Sequence, residues 1–166
     1  MKDKFILDAC CGGKEFWYDK HQPNTIFQDI REGDFKWDEN RDIKVHPDII
    51  GDFRKMTFLD KSFKLVVFDP PHLKNLSASS LFKIKFGELD KKNWREDIKN
   101  GLSECWRVLE DYGILIFKWN EFDIKAKDII PLFPSSPLFA KKTSYAKNGK
   151  VSTLWFCFMK IPEVLK

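Results

Sequence analysis

The chain has 166 residues, which suits one domain spanning residues 1–166 with a hydrophobic core of its own. Hydrophobic residues form 43% of the chain and charged residues 33%, which is typical of a soluble protein, and no apolar run approaches the roughly 20 residues that cross a membrane. The net charge of +4 permits a polyanionic partner without demanding one.

Four short apolar runs in the first half of the chain predict buried strands, and an aspartate stands at the end of each run. The runs cover residues 5–7, 25–28, 48–52 and 63–68, and the aspartates are Asp8, Asp29, Asp52 and Asp69. In an open α/β sheet, ligands bind beyond the carboxyl ends of the parallel strands. We therefore expect the four carboxylates to meet in one crevice.

The second half of the chain begins with the clearest helix signal. An apolar stripe over residues 93–109 predicts an amphipathic helix, and Asn93 followed by Glu96 predicts a capping box at its start. A fifth strand is expected over residues 114–119, and a second helix over residues 124–132.

Two last strands are expected at residues 138–144 and 152–160, because Asn148-Gly149 between them is a strong hairpin signal. Strands that alternate with helices indicate a mostly parallel sheet with helices on both faces. The predicted fold is therefore α/β: a mostly parallel seven-stranded sheet that closes with a C-terminal antiparallel hairpin.

Two stretches lack a clear pattern. Residues 31–47 are rich in charge, and residues 72–92 combine serines with several lysines. We expect irregular structure in both. The second stretch directly follows Asp69-Pro70-Pro71, where a loop that covers a substrate would lie, although a plain surface loop fits the same composition.

The cysteines and histidines show no metal-binding pattern. The adjacent Cys10 and Cys11 suit neither a zinc site nor a disulfide framework, and the three histidines are scattered. Free thiols suit a reducing compartment, and the apolar stretch near the N-terminus is too brief for a signal peptide. We expect a cytoplasmic protein with no metal site and no membrane association.

Several motifs, in this order along the chain, carry a family resemblance. Residues 7–13 (L-D-A-C-C-G-G) look like the first motif of class I S-adenosylmethionine (SAM)-dependent methyltransferases, and residues 51–58 and 60–67 are similar to later segments of that family. Residues 69–72 (D-P-P-H) resemble the D-P-P-Y motif of amino-methyltransferases that act on nucleic acids. A likeness to small phage or prophage DNA methyltransferases opening with D-A-C-C-G is also present. The resemblance implies a single Rossmann-like methyltransferase domain.

The resemblance assigns the cofactor SAM to a defined set of residues. The turn beneath its amino acid part would be formed by Asp8, Ala9, Cys10, Cys11 and Gly12, whereas Asp29 with Ile30 would bind the ribose and Asp52 with Phe53 the adenine; Asp69 also belongs to this set. Turn chemistry alone is the alternative for Asp29 and Asp52. Cys10 and Lys14 depart from the pattern, since both stand where the family usually has glycine.

The catalytic residues implied by the same resemblance are Asp69, Pro70, Pro71 and His72. Two prolines leave a rigid turn whose carbonyl groups are free to accept hydrogen bonds. An amino group held by Asp69 and the Pro70 carbonyl would direct its nitrogen lone pair at the methyl group of SAM. His72 replaces the usual aromatic residue, and it would stack on the substrate, titrate near neutral pH, or simply cap the turn.

A nucleic-acid base is the acceptor that this motif favours, with adenine or cytosine in DNA ahead of RNA. Cations in residues 74–92 and at Lys141, Lys142, Lys147 and Lys150 would line the rim, although such lysines are often only solvated. Little chain remains for target recognition, so a homodimer or a separate recognition subunit would fit. The alternatives are an RNA, small-molecule or protein methyltransferase, and a non-catalytic SAM-binding partner subunit.

Overall fold

The fold is built on a seven-stranded sheet, seen in a computed structural model that describes residues 4–39, 41–77, 80–144 and 152–162. The strands of the chain are β1 (Ile6–Asp8), β2 (Thr25–Asp29), β3 (Gly33–Asp38), β4 (Arg41–Val45), β5 (Ile49–Ile50), β6 (Phe63–Phe68), β7 (Leu109–Asn120), β8 (Phe139–Ser144) and β9 (Ser152–Met159). The sheet has the order β5-β2-β1-β6-β7-β9-β8. Its first five strands run parallel, and β9 pairs antiparallel with both β7 and β8.

The parallel pairing brings the ends of three strands to one edge. Asp8, the last residue of β1, pairs with Phe27 of β2 on one side and Val67 of β6 on the other. Asp29 ends β2, and Asp69 follows β6 directly. The predicted mostly parallel sheet and its C-terminal antiparallel strand pair are confirmed, while the Asn148-Gly149 turn lies outside the described residues.

The helix α2 (Trp94–Val108) covers the middle of the sheet with its apolar face. Ile98, Leu102 and Val108 on this face are fully buried, as the periodicity predicts. The predicted Asn93 cap is wrong, because the Asn93 side chain forms no capping hydrogen bond. Asp90 takes that role one turn earlier, where its Oδ1 accepts from the backbone N–H groups of Lys92 (2.8 Å) and Asn93 (2.7 Å).

Aromatic side chains fill much of the core beside this helix. The Phe117 ring lies 5.7 Å from Phe68, 5.8 Å from Trp119 and 6.1 Å from Phe156, measured between centroids. Trp119 is fully buried, and its Nε1 donates a hydrogen bond to the Ile124 carbonyl. The phenylalanines on β6, β7 and β9 therefore serve chiefly to pack the sheet.

Residues 31–47 are not irregular, and that expectation is wrong. They contain the antiparallel pair β3–β4, in which Ile43 and Val45 are buried while the intervening Lys44 is exposed. The alternation with period two is present, but the surrounding charged residues obscure it. Residues 72–92 also contain regular structure, the short helix α1 (Leu81–Phe86).

The remaining helical segment is shorter and tighter than expected. The helix α3 spans Ala126–Ile129 and continues as a 3₁₀ turn over Ile130–Leu132, because Pro131 has no N–H to extend the helical hydrogen bonds. The connection from β1 to β2, residues 9–24, consists of turns. Within the described ranges, no helix combines the length and apolar character needed to cross a bilayer.

Gly101 marks the closest approach of α2 to the sheet. A Cβ atom at this position would lie 2.6 Å from the Phe68 ring and 2.7 Å from the Phe53 ring. We expect Gly101→Ala to lower the free energy of unfolding by about 1–3 kcal/mol through overpacking, although alanine favours helices. Urea denaturation measures this, with Ser103→Ala on the exposed face of α2 as the control. Equal or greater stability of Gly101→Ala would contradict the close packing.

Candidate functional site

Two adjoining cavities open at the carboxyl edge of the parallel strands. The first cavity has a volume of about 520 Å³, and the second cavity has a volume of about 390 Å³. Both are lined by Cys10, Asp29, Arg31 and Phe86, so they share one wall. Three of the four strand-end aspartates, Asp8, Asp29 and Asp69, line the first cavity, whereas Asp52 lines only the second, so the four carboxylates do not meet in a single crevice.

The turn after β1 forms the floor of the first cavity. Asp8 accepts hydrogen bonds from the Cys10 N–H (3.2 Å) and from Trp17 Nε1 (2.6 Å). Gly12 adopts a left-handed backbone with φ of 49°, and Lys14 does the same with φ of 58°. Lysine thus adopts, at some cost in strain, a conformation that glycine adopts freely.

Twelve of the thirteen predicted residues line the two cavities. The first cavity takes Asp8, Cys11, Gly12, Asp69, Pro70 and His72, while the second takes Ile30, Asp52, Phe53 and Pro71. Cys10 and Asp29 line both. Ala9 lines neither, because it is buried beneath the turn, where its N–H donates to the Val67 carbonyl.

Asp29 is almost fully buried between the two cavities. Its Oδ2 accepts from the Gly12 N–H at 2.7 Å, and its Oδ1 accepts from the N–H and Nε of Arg31 at 3.0 and 3.3 Å. The Arg31 guanidinium also donates to the Ile84 carbonyl (3.0 Å) and the Lys85 carbonyl (3.5 Å) at the end of α1. Arg31 therefore ties α1 to β2 across the cleft.

Asp52 and Phe53 lie together in the second cavity. The Asp52 carboxylate accepts from Nε and one terminal nitrogen of Arg54, the shortest distance being 2.7 Å, and these hydrogen bonds lower its pKa. Arg54 also donates to Asp97 on α2 at 3.1 Å. The Phe53 ring packs edge-on against Phe68, with the centroids 5.1 Å apart. Asp52 is thus an ionised acceptor at the cavity wall.

The Asp69 carboxylate forms an ion pair that the sequence did not reveal. Lys118 Nζ donates to Asp69 Oδ2 at 2.5 Å, and both side chains line the first cavity. The parallel register explains the contact, since Phe68 pairs with Phe117 and the next residues stand side by side. Asp69 is therefore held as a charged acceptor at the floor of the cavity.

His72 also lines the first cavity. Its Nδ1 is buried without a hydrogen-bond partner among the described residues, and its ring meets Trp119 edge-on at a centroid distance of 6.2 Å. Burial lowers the pKa of His72, an effect that outweighs the opposing influence of Asp69 and the Pro70 carbonyl. The imidazole is therefore neutral at pH 7.

The cleft concentrates negative charge around the first turn. The pKa of Asp8 is raised to about 7, chiefly by burial; the hydrogen bonds from Trp17 and Cys10 lower it, and the charges of Asp69 and Asp29 raise it. Lys118 and Arg31 offset part of the charge through their ion pairs with Asp69 and Asp29. A cationic ligand would offset more of it.

The walls of the first cavity contain aromatic residues that sequence reasoning did not select. Phe16, Phe82 and Phe122 line it and remain exposed by 36%, 55% and 63%. The expected cationic rim is weaker than predicted, because Lys83 pairs with Glu88 at 2.6 Å and Lys85 with Glu15 at 3.6 Å. Lys147 and Lys150 lie outside the described residues.

Comparisons with solved structures show where this fold has been seen before. A SAM-dependent methyltransferase from Methanosarcina mazei is 11% identical over 98% of this chain and 95% of its own, with a TM-score of 0.57. The PH0226 protein from Pyrococcus horikoshii OT3 is 14% identical over 93% of this chain and 81% of its own, with a TM-score of 0.53. No protein-family model and no curated protein sequence matches the chain. The Rossmann-like methyltransferase fold predicted from the sequence is confirmed.

The raised pKa of Asp8 predicts how stability depends on pH. The folded chain keeps a proton on Asp8 up to pH of about 7, while the ordinary value is 3.8, so its stability falls as the pH rises through that window. We expect the stability of Asp8→Asn relative to the parent chain, measured by urea denaturation, to rise by on the order of 3 kcal/mol on going from pH 5 to pH 8.

Asp8 Oδ1 accepts from Cys10 and Oδ2 from Trp17, and Asn keeps only one of these two acceptors, so the change of stability with pH, rather than its absolute value, reports the lost charge. Asp128→Asn on α3, outside both cavities, is the matched control. A parallel pH profile for Asp8→Asn and the parent chain would refute the assignment.

Proposed function

We propose that the protein is a SAM-dependent methyltransferase that transfers a methyl group to an amino nitrogen of a nucleic-acid base. The observation that carries the proposal is the common cavity of Asp8, Gly12 and Asp29 with the Asp69-Pro70 turn. Donor-binding and acceptor-binding residues of a methyl transfer must lie within reach of one another, and here they share one set of walls.

The residues present fit the cofactor in charge and in shape. SAM carries a sulfonium and an ammonium group, and the carboxylates of Asp8, Asp29 and Asp69 suit both cations. The second cavity offers Asp52 as an acceptor for the adenine amino group and Phe53 as an apolar wall. Asp29 already accepts from Gly12 and Arg31, so ribose hydroxyls would share its remaining lone pairs.

The reaction needs positioning more than activation. When bound, SAM supplies a methyl group on a sulfonium; the acceptor nitrogen forms the new N–C bond as the C–S bond breaks, and sulfur keeps that electron pair. Asp69 and the Pro70 carbonyl would accept the hydrogen bonds of the amino group, and Lys118 would hold Asp69 in place. The proton lost from the nitrogen passes to solvent, directly or through Asp69.

The aromatic walls support a planar acceptor. Phe122 and Phe16 line the first cavity, and the neutral imidazole of His72 adds a third planar ring. An adenine or cytosine base taken out of its stack is a planar ring that carries an amino group, and DNA is favoured over RNA as in the family that residues 69–72 resemble. The paired rim lysines favour a second candidate, a small planar amine.

Methyl transfer is tested with tritiated SAM and unmethylated DNA or RNA, followed by mass analysis of the nucleosides. We expect N6-methyladenine or N4-methylcytosine, and we expect Asp69→Ala to abolish the signal while Asp128→Ala keeps it. Methylation of small amines alone would favour the second candidate. SAM binding with no transfer to any acceptor would contradict the enzyme and support the non-catalytic partner.

His72 provides a separate test of the acceptor side. We expect His72→Ala to lose most of the activity while the Kd for SAM, measured by calorimetry, stays within about twofold, because the ring contributes to the acceptor wall alone. His72→Tyr restores an aromatic ring and is expected to keep part of the activity. Equal activity of His72→Ala and the parent chain would remove His72 from the mechanism.

A further inference from the structure

We propose that a basic groove next to the first cavity binds the phosphate backbone of a single-stranded polynucleotide. The groove is a third depression of about 630 Å³, lined by Lys14, Lys20, Lys44, Lys85, His21 and His46 together with two acidic residues. The inference rests on the proposed function for its purpose, since it names how the polymer that carries the acceptor would be held.

The walls of the groove come from three parts of the chain that lie far apart in sequence. They are the turn region that follows β1, the strand β4 with the residues after it, and Lys85 of α1. In β4, Ile43 and Val45 are buried, so the intervening Lys44 points outward on the same side as Asp42. The β3–β4 pair therefore places its charged face opposite the turn that follows β1.

Positive charge exceeds negative charge in this groove. Four lysines stand against Glu15 and Asp42. Glu15 is shared by Lys20 at 3.2 Å and Lys85 at 3.6 Å, so one carboxylate faces two ammonium groups. Of the histidines, His46 contacts Asp34 at 2.8 Å. Lysines gathered along a concave surface are the feature with which proteins follow a phosphate backbone.

The groove continues into the first cavity. Gly13 and Glu15 line both depressions, so a strand that follows the lysines arrives at the first cavity, which Asp69 and His72 also line. Phe16, Phe82 and Phe122 line the same cavity and keep their rings partly exposed. Exposed rings that stand next to a cationic track suit stacked, unpaired bases, and each stacked base contributes roughly 1–3 kcal/mol. A duplex offers no free base faces to these rings, which favours a single strand.

The experiment uses fluorescein-labelled dT20, because thymine has no exocyclic amino group and cannot be the methyl acceptor. Binding is followed by anisotropy without SAM over a salt series. We expect Lys44→Glu to weaken binding by about tenfold and to reduce the slope of log K against log salt by about one, with a further loss in Lys20→Glu/Lys44→Glu. Lys64→Glu, on β6 outside the cavities and the groove, is the control of equal charge and should bind like the parent chain.

Equal binding of Lys44→Glu and Lys64→Glu would overturn the groove, and so would tighter binding of a 20-base-pair duplex than of dT20. The result for the groove and the result for the proposed function can be told apart. Methylation of nucleosides without dT20 binding would refute the groove and keep the enzyme. Groove-dependent dT20 binding without methylation of any nucleic acid would keep the groove and refute the acceptor.

Discussion

The constraint on which the site depends is the burial of carboxyl groups gathered at one edge of a parallel sheet. Asp8 and Asp29 are buried there, and Asp69 joins them from the next strand. The grouping of these acids follows from the topology, because the carboxyl ends of parallel strands lie at the same edge of the sheet. The fold tolerates the charge through backbone and indole donors, through Arg31 and Lys118, and through a proton on Asp8 up to neutral pH. Burial of these acids therefore costs part of the stability that the apolar core provides.

Each compensating cation also performs a structural task. Arg31 reaches from the end of β2 to the carbonyl groups at the end of α1. The same side chain therefore balances the charge of Asp29 and holds the α1 segment in position. Lys118 likewise links the Asp69 turn to β7. The division of the cleft into two cavities follows from the first of these links, because Arg31 and Phe86 stand in the wall that the cavities share.

Much of the fold was predictable from local pattern, whereas the partners within the site were not. Apolar runs that stop at aspartate located β1, β2 and β6, and one apolar stripe located α2. The β3–β4 pair was missed because charged residues hide its alternation. The contacts of Lys118 with Asp69 and of Arg31 with Ile84 depend on strand register and on the path of α1, which no local pattern encodes. Asp90 replaced Asn93 as the cap because the chain turns before the helix begins.

Two indole rings sit directly against the cleft residues. Trp17 donates its N–H to Asp8, and Trp119 packs edge-on against His72 from within the core. Indole emission responds to the polarity and charge of its surroundings, so both rings are optical reporters in contact with residues of the first cavity. Replacing each ring in turn by phenylalanine would identify its share of the emission of the six tryptophans, and occupancy of the cleft could then be followed in real time without a label.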